Sequence, residues 1–223
     1  MINYLDSKFP EYISDMDINK LWNESEGEDI TIAFLDSGMH QKLVKIFGDR
    51  VVNQYDFVND SETIKDGNGH GTAMICIAAC NYRDTGIYGI APQAKVMPLK
   101  IFDSHGNTTN ERIAEAILYA VDNGADIINI SFGSYEDSDE VKNAIDYAVT
   151  RNVFIVCSAG DYIITMTASP ASYGNTISVA NLSKYISDFE YESIDVFVNG
   201  ENIESLRFSE SQESLVINYE CLN

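Results

Sequence analysis

Runs of β-branched and apolar residues alternate with helix-patterned segments along most of this chain, and few architectures satisfy that alternation. Asp29-Ile-Thr-Ile-Ala-Phe-Leu35 is nearly all apolar, as a strand must be when both faces of a parallel sheet are covered. Lys95 to Phe102, Asp126-Ile-Ile-Asn-Ile-Ser131 and Val153-Phe-Ile-Val-Cys-Ser158 read as further strands. Between them, Thr108 and Glu111 form a capping box, Gly124 closes a helix, and Ile113, Ala116, Ile117, Ala120 and Val121 supply its apolar face. Ser138 to Arg151 is a second amphipathic helix, and His70 to Cys80, small or apolar all round, suits a helix buried in a core. Asn175 to Ala180 and Ile194 to Val198 offer two more strands. This β-α-β-α-β order requires right-handed crossovers and predicts an α/β fold with a parallel sheet.

At 223 residues and 45% hydrophobic composition the chain can bury one sizeable core, and no repeat or linker divides it. Residues 1–223 are therefore read as a single domain. The 14 Lys and Arg against 35 Asp and Glu give a net charge of −21, which repels phosphate backbones and anionic lipids. Neither nucleic acid nor membrane is an expected partner. The acidic stretch from Asp188 to Glu220 reads as a solvated edge. Met1 to Asp17 shows no basic, apolar leader, and no apolar run is long enough for a bilayer. Of the 4 cysteines, Cys76 and Cys80 share a probable helix, Cys157 sits in an apolar strand, and Cys221 is near the end. That usage points to reduced thiols and to the cytoplasm. The Cys76/Cys80 pair has no neighbouring Cys or His in sequence to complete a tetrahedral metal site.

In open parallel sheets, functional residues gather beyond the C-terminal ends of the strands. Asp36, Ser131 and Gly160-Asp161 fall at such ends, and His70 opens a helix from the same edge. A carboxylate and an imidazole converging there is a hydrolase-like layout. His40 and His105 have no comparable context and read as surface residues.

The motifs Thr31-Ile-Ala-Phe-Leu-Asp36-Ser-Gly38, Asp66-Gly-Asn-Gly-His70-Gly-Thr72, Gly89-Ile-Ala-Pro92, Ala125-Asp-Ile-Ile-Asn-Ile-Ser131-Phe-Gly133 and Val156-Cys-Ser-Ala-Gly-Asp161 follow one another in that order. Together they resemble the subtilase family of serine proteases, from about Ile18 to Val198. The resemblance implies a three-layer αβα, subtilisin-like domain. It casts Asp36 as the carboxylate that orients the imidazole and His70 as the general base. It casts Ser131, Phe132 and Gly133 as the segment that pairs with a substrate peptide by strand addition. Asp161 stands where the family usually has an asparagine that donates to the oxyanion.

Two departures from the family pattern bear on activity. An ionised Asp161 donates no hydrogen bond and repels developing negative charge, although a protonated one would still donate. The Gly-Thr-Ser-Met-Ala segment that carries the family's nucleophile, at the start of an apolar helix, has no counterpart, and spacing would bring that serine to about Asn223. Cys221 lies near that position without a glycine-rich helix start around it. The domain is thus expected to be C-terminally incomplete, with a gap in its core for a partner chain, a second copy or a local rearrangement to fill. Subtilases commonly bind calcium after the histidine helix; here Arg83 and Lys45 fall where oxygen ligands would stand, so no metal or other cofactor is expected. The leading expectation is a pseudoprotease that keeps a groove for a peptide or protein ligand. The alternatives are an endopeptidase whose serine comes from another chain or was lost by truncation, and a purely structural or regulatory subunit.

Overall fold

The computed structural model describes residues 9–160, 167–182, 194–200, 203–207 and the backbone of 216–220. In chain order the elements are α1 (Glu11–Asp15), α2 (Ile18–Leu21), β1 (Thr31–Asp36), α3 (Gln41–Phe47), β2 (Tyr55–Asp56), α4 (His70–Ala79), α5 (Tyr82–Thr85), β3 (Lys95–Lys100) and α6 (Asn110–Asp122). They continue as β4 (Ile127–Ile130), α7 (Asp139–Thr150), β5 (Phe154–Ser158), β6 (Ile177–Asn181), β7 (Val196–Val198), β8 (Ile203–Arg207) and β9 (Val216–Glu220). Strands β1 to β7 form one sheet in the order β2-β3-β1-β4-β5-β6-β7. Every pairing in it is parallel. The two offered strands at 175–180 and 194–198 are β6 and β7.

Alternation along β1 divides the core into two layers. Ala33 and Leu35 pack with Ile113, Ile117 and Ala120 of α6 and with Val141 and Ile145 of α7. Ile32 and Phe34, pointing the other way, pack with Leu43 and Phe47 of α3 and with Ile75 and Ala79 of α4. The sheet therefore has helices on both faces, the three-layer architecture that the resemblance implied. A third cluster joins Tyr12, Ile13, Ile18 and Trp22 of the N-terminal helices to Tyr88 and Ile203.

Three features differ from the sequence reading. The cap of α6 is Thr109, whose side chain accepts from the Arg112 N–H, and not Thr108. Two adjacent threonines offer the same chemistry, and the path of the incoming loop selects between them. The acidic tail is no uniform solvated edge. Within it β8 lies on α4, with Leu206 buried in the α3/α4 layer. Ser205 is buried as well, and its Oγ donates to the Ala73 carbonyl at 2.9 Å.

Third, where a gap in the core was expected, the described residues form a cavity lined in part by α1 and β8. On the α4 side of β5, β6 and β7 the described residues place the short helix α1, with Tyr12 and the adjoining Met16 facing the strands across this cavity. It measures about 300 Å³ and is walled by Met74 and Ile77 of α4, Val156 of β5 and Val179 of β6. Phe154 and Val196 share that face by strand alternation and register, and remain 63% and 40% exposed.

Candidate active site

Asp36 is the last residue of β1 and has the parity of Ile32 and Phe34, so its side chain leaves the sheet toward α4. Its main-chain oxygen accepts from the Ile101 N–H at 2.9 Å, which fixes the strand end. The carboxylate is 2% exposed and accepts the Ser37 N–H at 2.6 Å. His70 is the first residue of α4, and its Nδ1 lies 2.8 and 2.9 Å from the two Asp36 oxygens. An acceptor on Nδ1 selects the tautomer that carries its proton there, leaving the Nε2 lone pair for proton transfer. The His70 side chain is 37% exposed against 2% for Asp36. The dyad is thus a buried orienting carboxylate behind an imidazole that faces solvent.

The start of α4 explains why these residues meet. Gly69 caps the helix at φ 89° and has no side chain with which to do so. Three other side chains take the first three helical N–H groups, which lack intrahelical acceptors. Asn68 Oδ1 accepts from His70 N at 2.8 Å, Ser37 Oγ from Gly71 N at 2.9 Å, and Asp66 Oδ2 from Thr72 N at 2.9 Å. Asp66 Oδ1 also accepts from Ser37 Oγ, Asn68 N and Gly69 N, and the Thr72 hydroxyl donates to Oδ2. The loop before His70 and the residue after Asp36 are therefore tied to one carboxylate.

Gly71 permits the close approach. A Cβ there would stand 2.3 Å from the Gly38 oxygen and 3.2 Å from Asp36 Cβ. Lys100, buried and in register with Asp36 on the neighbouring strand, donates from Nζ to the Lys65 carbonyl at 2.9 Å. The sequence reading quoted the Asp66-to-Thr72 motif and gave Asp66, Asn68 and Ser37 no role. The signal was present, since an aspartate followed by two glycines just ahead of an apolar helix is a turn-and-cap pattern.

Ser131, Phe132 and Gly133 continue from β4 along the same edge. Asn129 Nδ2 donates to Ser131 Oγ at 2.8 Å, and the Phe132 ring meets Phe102 edge-on at 4.9 Å. A Cβ on Gly133 would come within 2.5 Å of Ala168 Cβ, so only glycine lets the 168–169 segment close against it. Ser134 and Ser169 exchange backbone bonds of 2.8 and 2.7 Å. Phe132 and Gly133 make no main-chain hydrogen bond among the described residues. Asp161, Cys221 and Asn223 lie outside the described residues.

No group of three or more His, Cys, Asp or Glu side chains converges in metal-binding geometry among the described residues. Asn81 uses its side-chain oxygen to cap α5, accepting from Arg83 N at 3.0 Å. Cys76, Cys80 and Cys157 are buried free thiols. Burial raises the Cys76 pKa well above its ordinary value and pushes Cys157 up to about 12, so both remain protonated and poor ligands or nucleophiles. His40 has a structural use: its Nδ1 accepts from Lys42 N at 3.2 Å and caps α3.

The model of the subtilase family matches residues 27–220. The chain belongs to the subtilase family. It is 35% identical to thermitase of Thermoactinomyces vulgaris over 161 residues, which are 72% of this chain and 57% of thermitase. It is 31% identical to the major intracellular serine protease of Bacillus subtilis over 212 residues, 88% of this chain and 66% of that protein. The crystal structure of fervidolysin from Fervidobacterium pennivorans, described as a keratinolytic enzyme related to subtilisin, superposes with a TM-score of 0.76 at 28% identity. That match covers 90% of this chain and 34% of the fervidolysin chain. The chain has a subtilisin-like fold and spans little more than half of thermitase, the 57% given above.

Proposed function

We propose that these residues form a peptide-binding subtilase domain that does not hydrolyse peptides by itself. The observation that carries the reading is an Asp36–His70 pair held at 2.8 Å beside an open peptide-pairing edge, in a chain without a Gly-Thr-Ser-Met-Ala segment. Asp36 would orient and stabilise the imidazole, and His70 would be the base. Phe132 and Gly133 would pair with an extended peptide. A base without a nucleophile transfers no acyl group. We place the protein in the cytoplasm, in line with the relatives named as intracellular serine proteases from Bacillus subtilis and Paenibacillus polymyxa.

A second reading is favoured by the open face above β5 to β7. His70, Met74 and Ile77 lie on one stripe of α4, and Met74 and Ile77 wall the apolar cavity. An apolar helix seated there, carrying a serine in its first turn, would bring that serine toward His70. Such a helix on another polypeptide would make the chain one part of a working endopeptidase.

One experiment separates the readings. The purified chain is incubated with a fluorophosphonate probe and a casein substrate, alone and with lysate from its source. The proposal expects no labelling of this chain in either case, and no labelling or cleavage beyond that of the lysate alone. Serine labelling of this chain overturns it, and labelling of a second polypeptide only when both are present establishes the divided enzyme.

A further inference from the structure

The cavity between α4, the strands β5 and β6, and α1 has a lining unlike the rest of the chain. In a protein of net charge −21, none of the described residues that line it is charged. Met74 and Ile77 of α4, Val156 of β5, Val179 of β6, Ile203 of β8 and Tyr12 of α1 make its walls apolar. Glu11 and Asp15 of α1 line a neighbouring, smaller hollow instead. The negative charge of the region therefore stops short of the larger space.

The ends of β4 and β5 supply its polar groups. Asn129 is in register with Val156 on the parallel neighbour, so both side chains leave the sheet on the cavity face. Asn129 Nδ2 donates to Ser131 Oγ at 2.8 Å, and its Oδ1 accepts no hydrogen bond among the described residues. The Ser131 hydroxyl accepts that bond and keeps its own proton to donate. Ser158, the last residue of β5, lines the same space. An acceptor and hydroxyl donors thus stand at one edge of an otherwise apolar cavity.

An occupant must be apolar over most of its surface, uncharged, and able both to donate and to accept at one end. A carboxylate finds no cation in the lining and meets an anionic chain, while an ammonium finds no counter-charge. A hydroxyl or a primary amide meets all the requirements. The volume is about twice the ~150 Å³ that admits benzene to a dry apolar cavity, so it suits a chain of roughly eight to ten carbons. Met74 and Met16, unbranched and flexible, can adjust to its shape.

We propose that this cavity binds a neutral medium-chain aliphatic molecule with a hydroxyl or primary amide head. The head pairs with Asn129 and Ser131, and the chain lies among Met74, Val156 and Val179. The proposal holds whether or not a peptide pairs with Phe132 and Gly133. The intact chain, labelled with 13C-methyl methionine, is titrated with 1-alkanols from hexanol to decanol and with octanoate at pH 8. The Met74 methyl resonance, assigned through Met74→Leu, reports the site.

Met74 should shift saturably with octanol, and each added methylene should tighten binding about three- to fourfold until the cavity is full. Octanoate should bind at least about tenfold more weakly than octanol. Asn129→Leu should weaken octanol about two- to tenfold, the worth of one hydrogen bond. Val179→Phe fills the space and should abolish the shift while keeping the parent Tm; should it not fold, Ile77→Phe takes its place. The proposal is overturned if alkanols leave Met74 unmoved, if octanoate binds as tightly as octanol, or if a folded filled variant binds octanol like the parent. A Met74 shift that follows protein concentration alone also overturns it, because a second copy of the chain then covers this face.

Discussion

Replacing Asp66 by asparagine tests whether one carboxylate assembles the start of α4. An asparagine oxygen in the Oδ1 position keeps the bonds from Ser37 Oγ, Asn68 N and Gly69 N. Its NH2 then faces Thr72, whose N–H and hydroxyl now donate to Oδ2. The hydroxyl can turn and accept, but the N–H cannot. An orphaned donor of this kind costs about 1–3 kcal/mol, and loss of a negative charge at a helix N-terminus about 0.3–1 kcal/mol more. Asp66 is half-exposed, so water replaces part of what is lost. The expected penalty is therefore near 2 kcal/mol, or about 4–8 °C in Tm for a domain of this size. Thermal unfolding by circular dichroism measures it, and amide hydrogen exchange at His70, Gly71 and Thr72 reports whether the first turn frays. A Tm within about 1 °C of the parent, with Thr72 exchange unchanged, would refute the assembly argument.

Two further predictions follow from packing and protonation. Leu206→Ala removes a 1% exposed side chain from the layer shared with α4 and should cost about 2–5 kcal/mol in urea unfolding; a loss under about 1 kcal/mol would mean that β8 does not hold α4 in place. Burial lowers the His40 pKa, against an opposing rise from Asp66 and with a further lowering from Lys42. The folded chain therefore binds fewer protons there than the unfolded one, so this stability is complete above the unfolded value near ~6.5 and is lost as pH falls through the folded pKa. His40→Asn keeps a capping oxygen without the titration, so its Tm should fall less than the parent's between pH 7.5 and 5.5, and parallel curves would contradict the assignment.

The strands and helices were legible where periodicity is strong and local. The apolar run through β1, the face of α6 and the amphipathic helix from Ser138 to Arg151 are written in neighbouring residues, and the structure has all three, with Ser138 as the cap of α7. Asp36 and His70 were legible through their motifs, and they meet as the resemblance implied. Thr109 in place of Thr108 was not, because adjacent identical residues carry the same propensity and only the incoming loop distinguishes them.

The role of β8 was hidden for a different reason. Ile203-Glu-Ser-Leu-Arg207 lies in an acidic stretch and buries a serine beside a leucine, which no local pattern announces. Ser205 can be buried because the Ala73 carbonyl, 132 positions away in sequence, receives its hydroxyl. Likewise, Asp66 organises the site through Ser37, a residue on the far side of α3 in sequence.

Sequence alone determined which segments alternate, which faces they bury, and which carboxylate and imidazole belong together, since side-chain periodicity and short motifs are properties of neighbours. Tertiary structure decided how the helix beneath His70 is capped, how β8 closes on α4, and which face of the sheet carries the cavity lined by Met74 and Ile77. Those outcomes depend on acceptors and apolar surfaces brought together from distant parts of the chain, and no window of sequence contains both sides of such a contact.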